Sequence, residues 1–145
     1  MIFVNLPVRD LDASKAFYER IGCRIDPKFT DENAACVVFS ETIHAMLLVE
    51  PFFARFTDKR IVDARVAVQV LNCLALDDRA AVDRMVDAAL IAGGSEPRPA
   101  MDSGFMYMRG FDDLDGHGWE ISWMDPEFAA RGIADPRHVE NPPQP

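Results

Sequence analysis

The sequence predicts an α+β fold built of two tandem β-α-β-β-β units within one domain. Three observations predict it. Short apolar, β-branched runs and helical segments recur in the same order twice. Val8-Arg9-Asp10 and Leu76-Asp77-Asp78, 68 residues apart, both lead from a strand into a helix that an aspartate can cap. No linker-like stretch separates the halves, so they read as one domain with pseudo-twofold symmetry. A chain of 145 residues has room for one such domain.

In the first unit, residues 2–8 form an apolar strand. Asp10 or Asp12 caps a helix whose apolar face is Ala13, Ala16, Phe17 and Ile21, and Gly22 ends it. Residues 23–29 read as a strand, 30–33 as a turn, and 35–39 and 43–49 as two more strands. The connector carries Phe52, Phe53 and Phe56, which predict one short helix packed over the edge of the first unit or acting as a lid. In the second unit, residues 68–76 form a strand, and Asp77 or Asp78 caps a helix facing inward through Val82, Met85, Val86 and Ala89. Gly93-Gly94 stops that helix. A short strand over 95–101 is broken by Pro97 and Pro99; strands follow over 104–111 and 118–124, with a turn over 112–116. The domain thus spans 1–124, as a unit over 1–50, a connector over 51–66 and a unit over 67–124. Residues 125–145 hold five prolines and read as an extended arm that includes His138.

Composition narrows the function classes. Fifteen Lys and Arg against 24 Asp and Glu leave a net charge of −9. Such a body repels phosphate backbones and anionic membranes, so neither nucleic acid nor a membrane is expected as a partner. No apolar run approaches the ~20 residues of a membrane helix. The N-terminus lacks the pattern of a signal peptide. Cys23, Cys36 and Cys73 form no CxxC and read as three reduced thiols, which points to the cytoplasm.

Two stretches carry a family likeness. Residues 8–18, VRDLDASKAFY, and residues 112–121, DDLDGHGWEI, resemble the strand-to-helix signature and the Asp-Pro-Asp-Gly turn of the vicinal oxygen chelate superfamily, with Leu114 in place of the proline. That superfamily includes glyoxalase I, bleomycin-resistance proteins and extradiol dioxygenases. The resemblance covers residues 1–124. It implies that each unit curls into a half-barrel cup, that the paired cups face a shared cavity, and that the chain forms a homodimer. Metal-using members place one ligand on the first and one on the last strand of each unit. Carried onto this chain, those positions are Phe3, about Leu48, Leu71 and Glu120. Phe and Leu offer a cation no lone pair, and one carboxylate does not hold a divalent ion against water. Shifting the alignment by one or two residues produces no His/Glu set. No cofactor is therefore expected; Zn, Ni or Fe would enter only if the alignment were wrong.

The expected function is the binding of a small organic molecule in an apolar cup. The alternative is a lyase, isomerase or dioxygenase of glyoxalase type, either metal-dependent or using Glu120 as general base. A third possibility is a regulatory protein whose fold serves dimerisation. Glu120 shares a strand face with Ser122, opposite Trp119, Ile121 and Trp123. An apolar cup would suit its carboxylate to act as a base or to anchor a cationic ligand. Asn5 and Cys73 occupy equivalent places in the two units, and His44 shares a face with Met46 and Leu48. Tyr107 and Arg109 share one face of their strand and Met106 and Met108 the other; either pair could face the cup. The candidate ligand-binding set is Phe3, Asn5, His44, Met46, Leu48, Leu71, Cys73, Tyr107, Arg109 and Ser122, with Glu120 as the candidate catalytic group. His117 reads as a turn residue.

Overall fold

A computed structural model describes residues 1–137; His138 and the rest of the arm lie outside them. The first unit runs β1 (Ile2–Val8), α1 (Leu11–Arg20), β2 (Arg24–Asp26), β3 (Ala34–Val38) and β4 (Ile43–Val49). A connector begins with α2 (Glu50–Phe53) and a 3-10 turn over Ala54–Phe56. The second unit runs β5 (Asn72–Ala75), α3 (Arg79–Ile91), β6 (Met101–Asp102), β7 (Met106–Asp112) and β8 (Gly118–Met124), followed by α4 (Pro126–Arg131). The sheets have matching orders, β1-β4-β3-β2 and β5-β8-β7-β6, and neither closes into a barrel. In each, the first and last strands pair in parallel and the other pairs are antiparallel.

The helices form where their caps stand. Asp10 accepts from the Ala13 N–H at 2.9 Å, and Asp78 from the Ala81 N–H at 2.7 Å. Gly22 and Gly93 then leave each helix in the left-handed region, where a side chain would be strained. Each helix packs on its own sheet, and the two helices pack against each other. Phe17, Tyr18, Leu47, Val82, Phe111 and Ile121 are buried in the single core between the units. Met85 only flanks this core, while Val82, Val86 and Ala89 are fully inside.

Several elements depart from their predicted form. The buried face of α1 is Leu11, Ser14, Phe17 and Tyr18, with Ala16 exposed. Ser14 and Tyr18 can be buried because their hydroxyls donate to carboxylates of the other unit. The strand over 23–29 stops at Asp26, since Pro27 opens a 3-10 turn capped by the Asp26 side chain. Residues 68–71 stay outside β5: its partner β8 starts at Gly118, and Leu71 packs on that glycine's open face. The strand over 95–101 reduces to an isolated bridge at Ser95 and the two residues of β6, because Pro97 and Pro99 cannot donate to a ladder. The arm begins as a helix: Asp125 caps α4 with Pro126 in its first turn, and Phe128 stacks on Phe105 at 4.0 Å.

Candidate functional site

The two motifs that carry the family likeness meet across the units. Arg9 donates from its side chain to Asp115 at 2.8 Å, and Ser14 donates to the same carboxylate at 3.3 Å. Tyr18 donates to Asp113 at 2.7 Å and accepts from the Trp119 indole at 3.0 Å. Asp113 also accepts from the backbone N–H groups of Asp115 and His117, which shapes the turn. The His117 ring nitrogen Nε2 lies 2.7 Å from the Pro7 carbonyl, which only a protonated nitrogen can satisfy. Burial pushes the Asp113 carboxyl up and the Tyr18 hydroxyl well up. These residues form a polar clasp between the units. Sequence reasoning did not assign the clasp; Ser14 and Tyr18 on an otherwise apolar helix face were the available signal.

Strand register decides which candidates share a face. Asn5 pairs with Met46, and Phe3 with His44. Cys73 pairs with Glu120, and Ala75 with Ser122. These pairs place Phe3, Asn5, His44, Met46 and Leu48 on one face of the first sheet, opposite the buried Leu6, Val8, Ala45 and Leu47. Cys73, Glu120 and Ser122 take the corresponding face of the second, with Leu71 at its edge. The register also moves one position. Asn5 corresponds to Cys73, so the counterpart of Glu120 is Met46, two residues before Leu48. The four corresponding positions are then Phe3, Met46, Leu71 and Glu120, and the added thioether is a soft, weak donor. This donor set does not fit a divalent ion. Among the described residues no three His, Cys, Asp or Glu side chains are placed to hold one.

Tyr107 and Arg109 lie on the opposite face, against α3. Tyr107 donates to Asp83 at 2.8 Å. Arg109 bridges Asp83, Asp87 and Glu96 at 3.0, 2.8 and 2.9 Å. Three carboxylates hold this half-buried guanidinium, and they raise its pKa. The two residues therefore brace the helix and do not clamp a ligand in the cup. Met108 takes the cup side, paired with Ser122, and Gly110 lies beside Glu120.

Of the candidates on these faces, Asn5, Met46 and Leu48 line one cavity and Leu71 and Glu120 another, while Phe3, His44, Cys73 and Ser122 line neither. In the first unit, a cavity of about 360 Å³ is lined by Asn5, Ala34, Met46 and Leu48 and roofed by Phe52, Phe53 and Phe56. Phe52 and Phe56 meet edge-on at 5.3 Å, with the Arg55 guanidinium 5.5 Å from the Phe52 ring centre. His44 lies outside this lining; its ring stacks on Phe3 at 4.8 Å, and its buried Nδ1 has no hydrogen-bond partner. In the second unit, a cavity of about 250 Å³ is lined by Leu71, Met101, Met108, Asp112, Trp119, Glu120 and Arg109, whose guanidinium is held by Asp83, Asp87 and Glu96, and is walled by residues 97–100. Glu120 pairs there with Arg98 at 3.1 Å; the carboxylate side is 24% exposed and the guanidinium side 63%.

Among the described residues no thiol is hydrogen-bonded to a carboxylate or an imidazole. Cys73 is exposed, with its sulfur 3.6 Å from the Ser122 hydroxyl. Burial pushes the Cys23 thiol up to about 12 and raises Cys36, with Asp26 adding to the latter.

Comparison with known proteins agrees with this architecture. Residues 1–40 match the family model described as bleomycin resistance protein-like N-terminal. A hypothetical protein from Staphylococcus aureus, SA1046, superposes with a TM-score of 0.73 at 23% identity, covering 85% of this chain and 92% of that one. A glyoxalase/bleomycin resistance protein/dioxygenase family enzyme from Burkholderia phytofirmans gives 0.69 at 18%, covering 84% and 96%. A bleomycin resistance determinant encoded on the transposon Tn5 gives 0.57 at 24%, covering 88% and 98%. No curated protein sequence matches the chain significantly.

Proposed function

The fold and the matched N-terminal residues support membership of the vicinal oxygen chelate superfamily, and on that premise we propose that this protein binds a small organic cation in the second unit's cup without a divalent ion. The observation that carries the reading is the setting of Glu120. Its carboxylate lies in a largely apolar cavity, and its one ion-pair partner among the described residues is the exposed Arg98. An ion pair this exposed contributes about 0–1 kcal/mol, so a ligand cation can displace Arg98 at little cost. Leu71, Met101 and Met108 supply adaptable apolar contact for the rest of the molecule. Recognition of this kind needs shape and one placed charge, and no chemical step.

The chemistry of Phe3, Met46 and Leu71, which offer a divalent ion no strong donor, supports the proposed metal independence. Elemental mass spectrometry of untagged protein purified without chelator tests it, followed by titration with Zn²⁺, Ni²⁺ and Fe²⁺. The expected result is no stoichiometric metal and no tight binding. Stoichiometric metal that is lost in Glu120→Ala would overturn the reading and favour glyoxalase-type chemistry. We propose further that the protein works as a homodimer in the cytoplasm. The exposed Ile2, Phe3, Leu71 and Met124 support the dimer, because a partner would remove their apolar surface from water.

A further inference from the structure

We infer that the seam between the two units holds a second binding site, for a small organic anion with an apolar body such as a medium-chain carboxylate. It is separate from Glu120 and does not depend on the proposal made for that residue. β1 pairs only with β4 and β5 only with β8, so each has one free edge, and residues of both strands line one cavity. Residues 57–71 pass over this seam without joining either sheet. Beneath them lies a cavity of about 380 Å³, within the size range of small-molecule sites.

The lining has two characters. Val4, Leu6, Phe53, Ile61, Val68 and Val70 give it an apolar wall. Its fully charged side chains are Lys59 and Arg60, and it contains no carboxylate. That is unusual in a chain with 24 acidic and 15 basic residues. Neither Lys59 nor Arg60 belongs to an ion pair among the described residues, whereas the neighbouring cations do. Arg9 is held by Asp115 at 2.8 Å and Arg65 by Asp63 at 3.1 Å. Those pairs and Glu50 line an adjoining polar cavity of about 360 Å³, which shares Arg60 and His117 with the seam. The acidic groups thus lie on the far side of Arg60, and the apolar side carries uncompensated positive charge. A carboxylate head at Lys59 and Arg60, with its chain along the valines, satisfies both walls. A cation of the same length would meet like charge at Lys59 and Arg60.

Sodium octanoate, with octylammonium as the opposite-charge control, tests this in titrations followed by amide chemical shifts. The expected result is saturable octanoate binding with shifts centred on residues 4–7 and 57–70, and no such response to octylammonium. Lys59→Ala/Arg60→Ala should weaken octanoate about tenfold or more, while Glu120→Gln leaves it unchanged. Both basic residues are exposed, so the double variant retains the core. Absence of saturable binding, equal affinity in the double variant, or shifts centred on the Glu120 cup would each overturn the inference.

Discussion

Asp113 shows how one residue can carry a motif's meaning. It receives the Tyr18 hydroxyl and two backbone N–H groups, and so ties the turn of the second unit to the helix of the first. Tyr18→Phe removes the group that donates to Asp113 and accepts from Trp119, leaving two buried partners unmet. The expected cost is about 1–3 kcal/mol in urea denaturation; a loss near zero would contradict the clasp. Burial raises the Asp113 carboxyl above the usual range, so the folded chain holds that proton more tightly than the unfolded one. Its contribution is therefore present below the ordinary aspartate value of about 3.9 and fades as pH rises through the folded value. Across that window the stability of the native protein relative to Asp113→Asn should fall with rising pH; a pH-independent difference would contradict the assignment. At this scale the sequence was only partly legible. The alternation of Trp119, Glu120, Ile121, Ser122 and Trp123 separated Glu120 and Ser122 from the apolar face, and only the family resemblance turned them toward a cup, whereas Tyr107 and Arg109 could not be assigned to a face. Their partners Asp83, Asp87 and Glu96 lie on α3 and in the loop after it, and only tertiary packing brings them together.

Among the elements, those that local chemistry specifies match their predicted bounds. β1, β4 and β8 are apolar runs closed by turns, and α1 and α3 are set by Asp10, Asp78, Gly22 and Gly93. Elements that depend on a partner do not. β5 is shorter than its apolar run because β8 begins only at Gly118, and the register that makes Met46 the counterpart of Glu120 exists only in the paired sheet. The junction after α3 shows how closely these pieces pack. A Cβ at Gly94 would meet the Asp112 carbonyl at 2.7 Å, the Ala89 carbonyl at 3.1 Å and the Phe17 ring at 3.2 Å. Gly94→Ala is therefore expected to cost about 1–3 kcal/mol by overpacking a site where two of the three neighbours are backbone. Thermal denaturation reads this directly, and an unchanged melting temperature would show that the junction has room.

For the whole molecule, the order of strands and helices was legible from the repeat alone, but the arrangement of its surfaces was not. The helices of both units fill one core, which leaves the opposite sheet faces outside it and their cavities separate within a single chain. The exposed Ile2 and Phe3 then suit a partner, and sedimentation velocity should show a dimer that Phe3→Asp shifts toward monomer; a monomeric native protein would contradict this. No helix among the described residues is long and apolar enough to cross a membrane. The anchoring of an organic cation by Glu120 without metal, as proposed, is tested most directly by calorimetric titration of benzyltrimethylammonium into the native protein and into Glu120→Gln, both in the presence of EDTA. The expected result is saturable binding to the native protein that is lost in the variant. No binding in EDTA, or equal binding to both proteins, would contradict it.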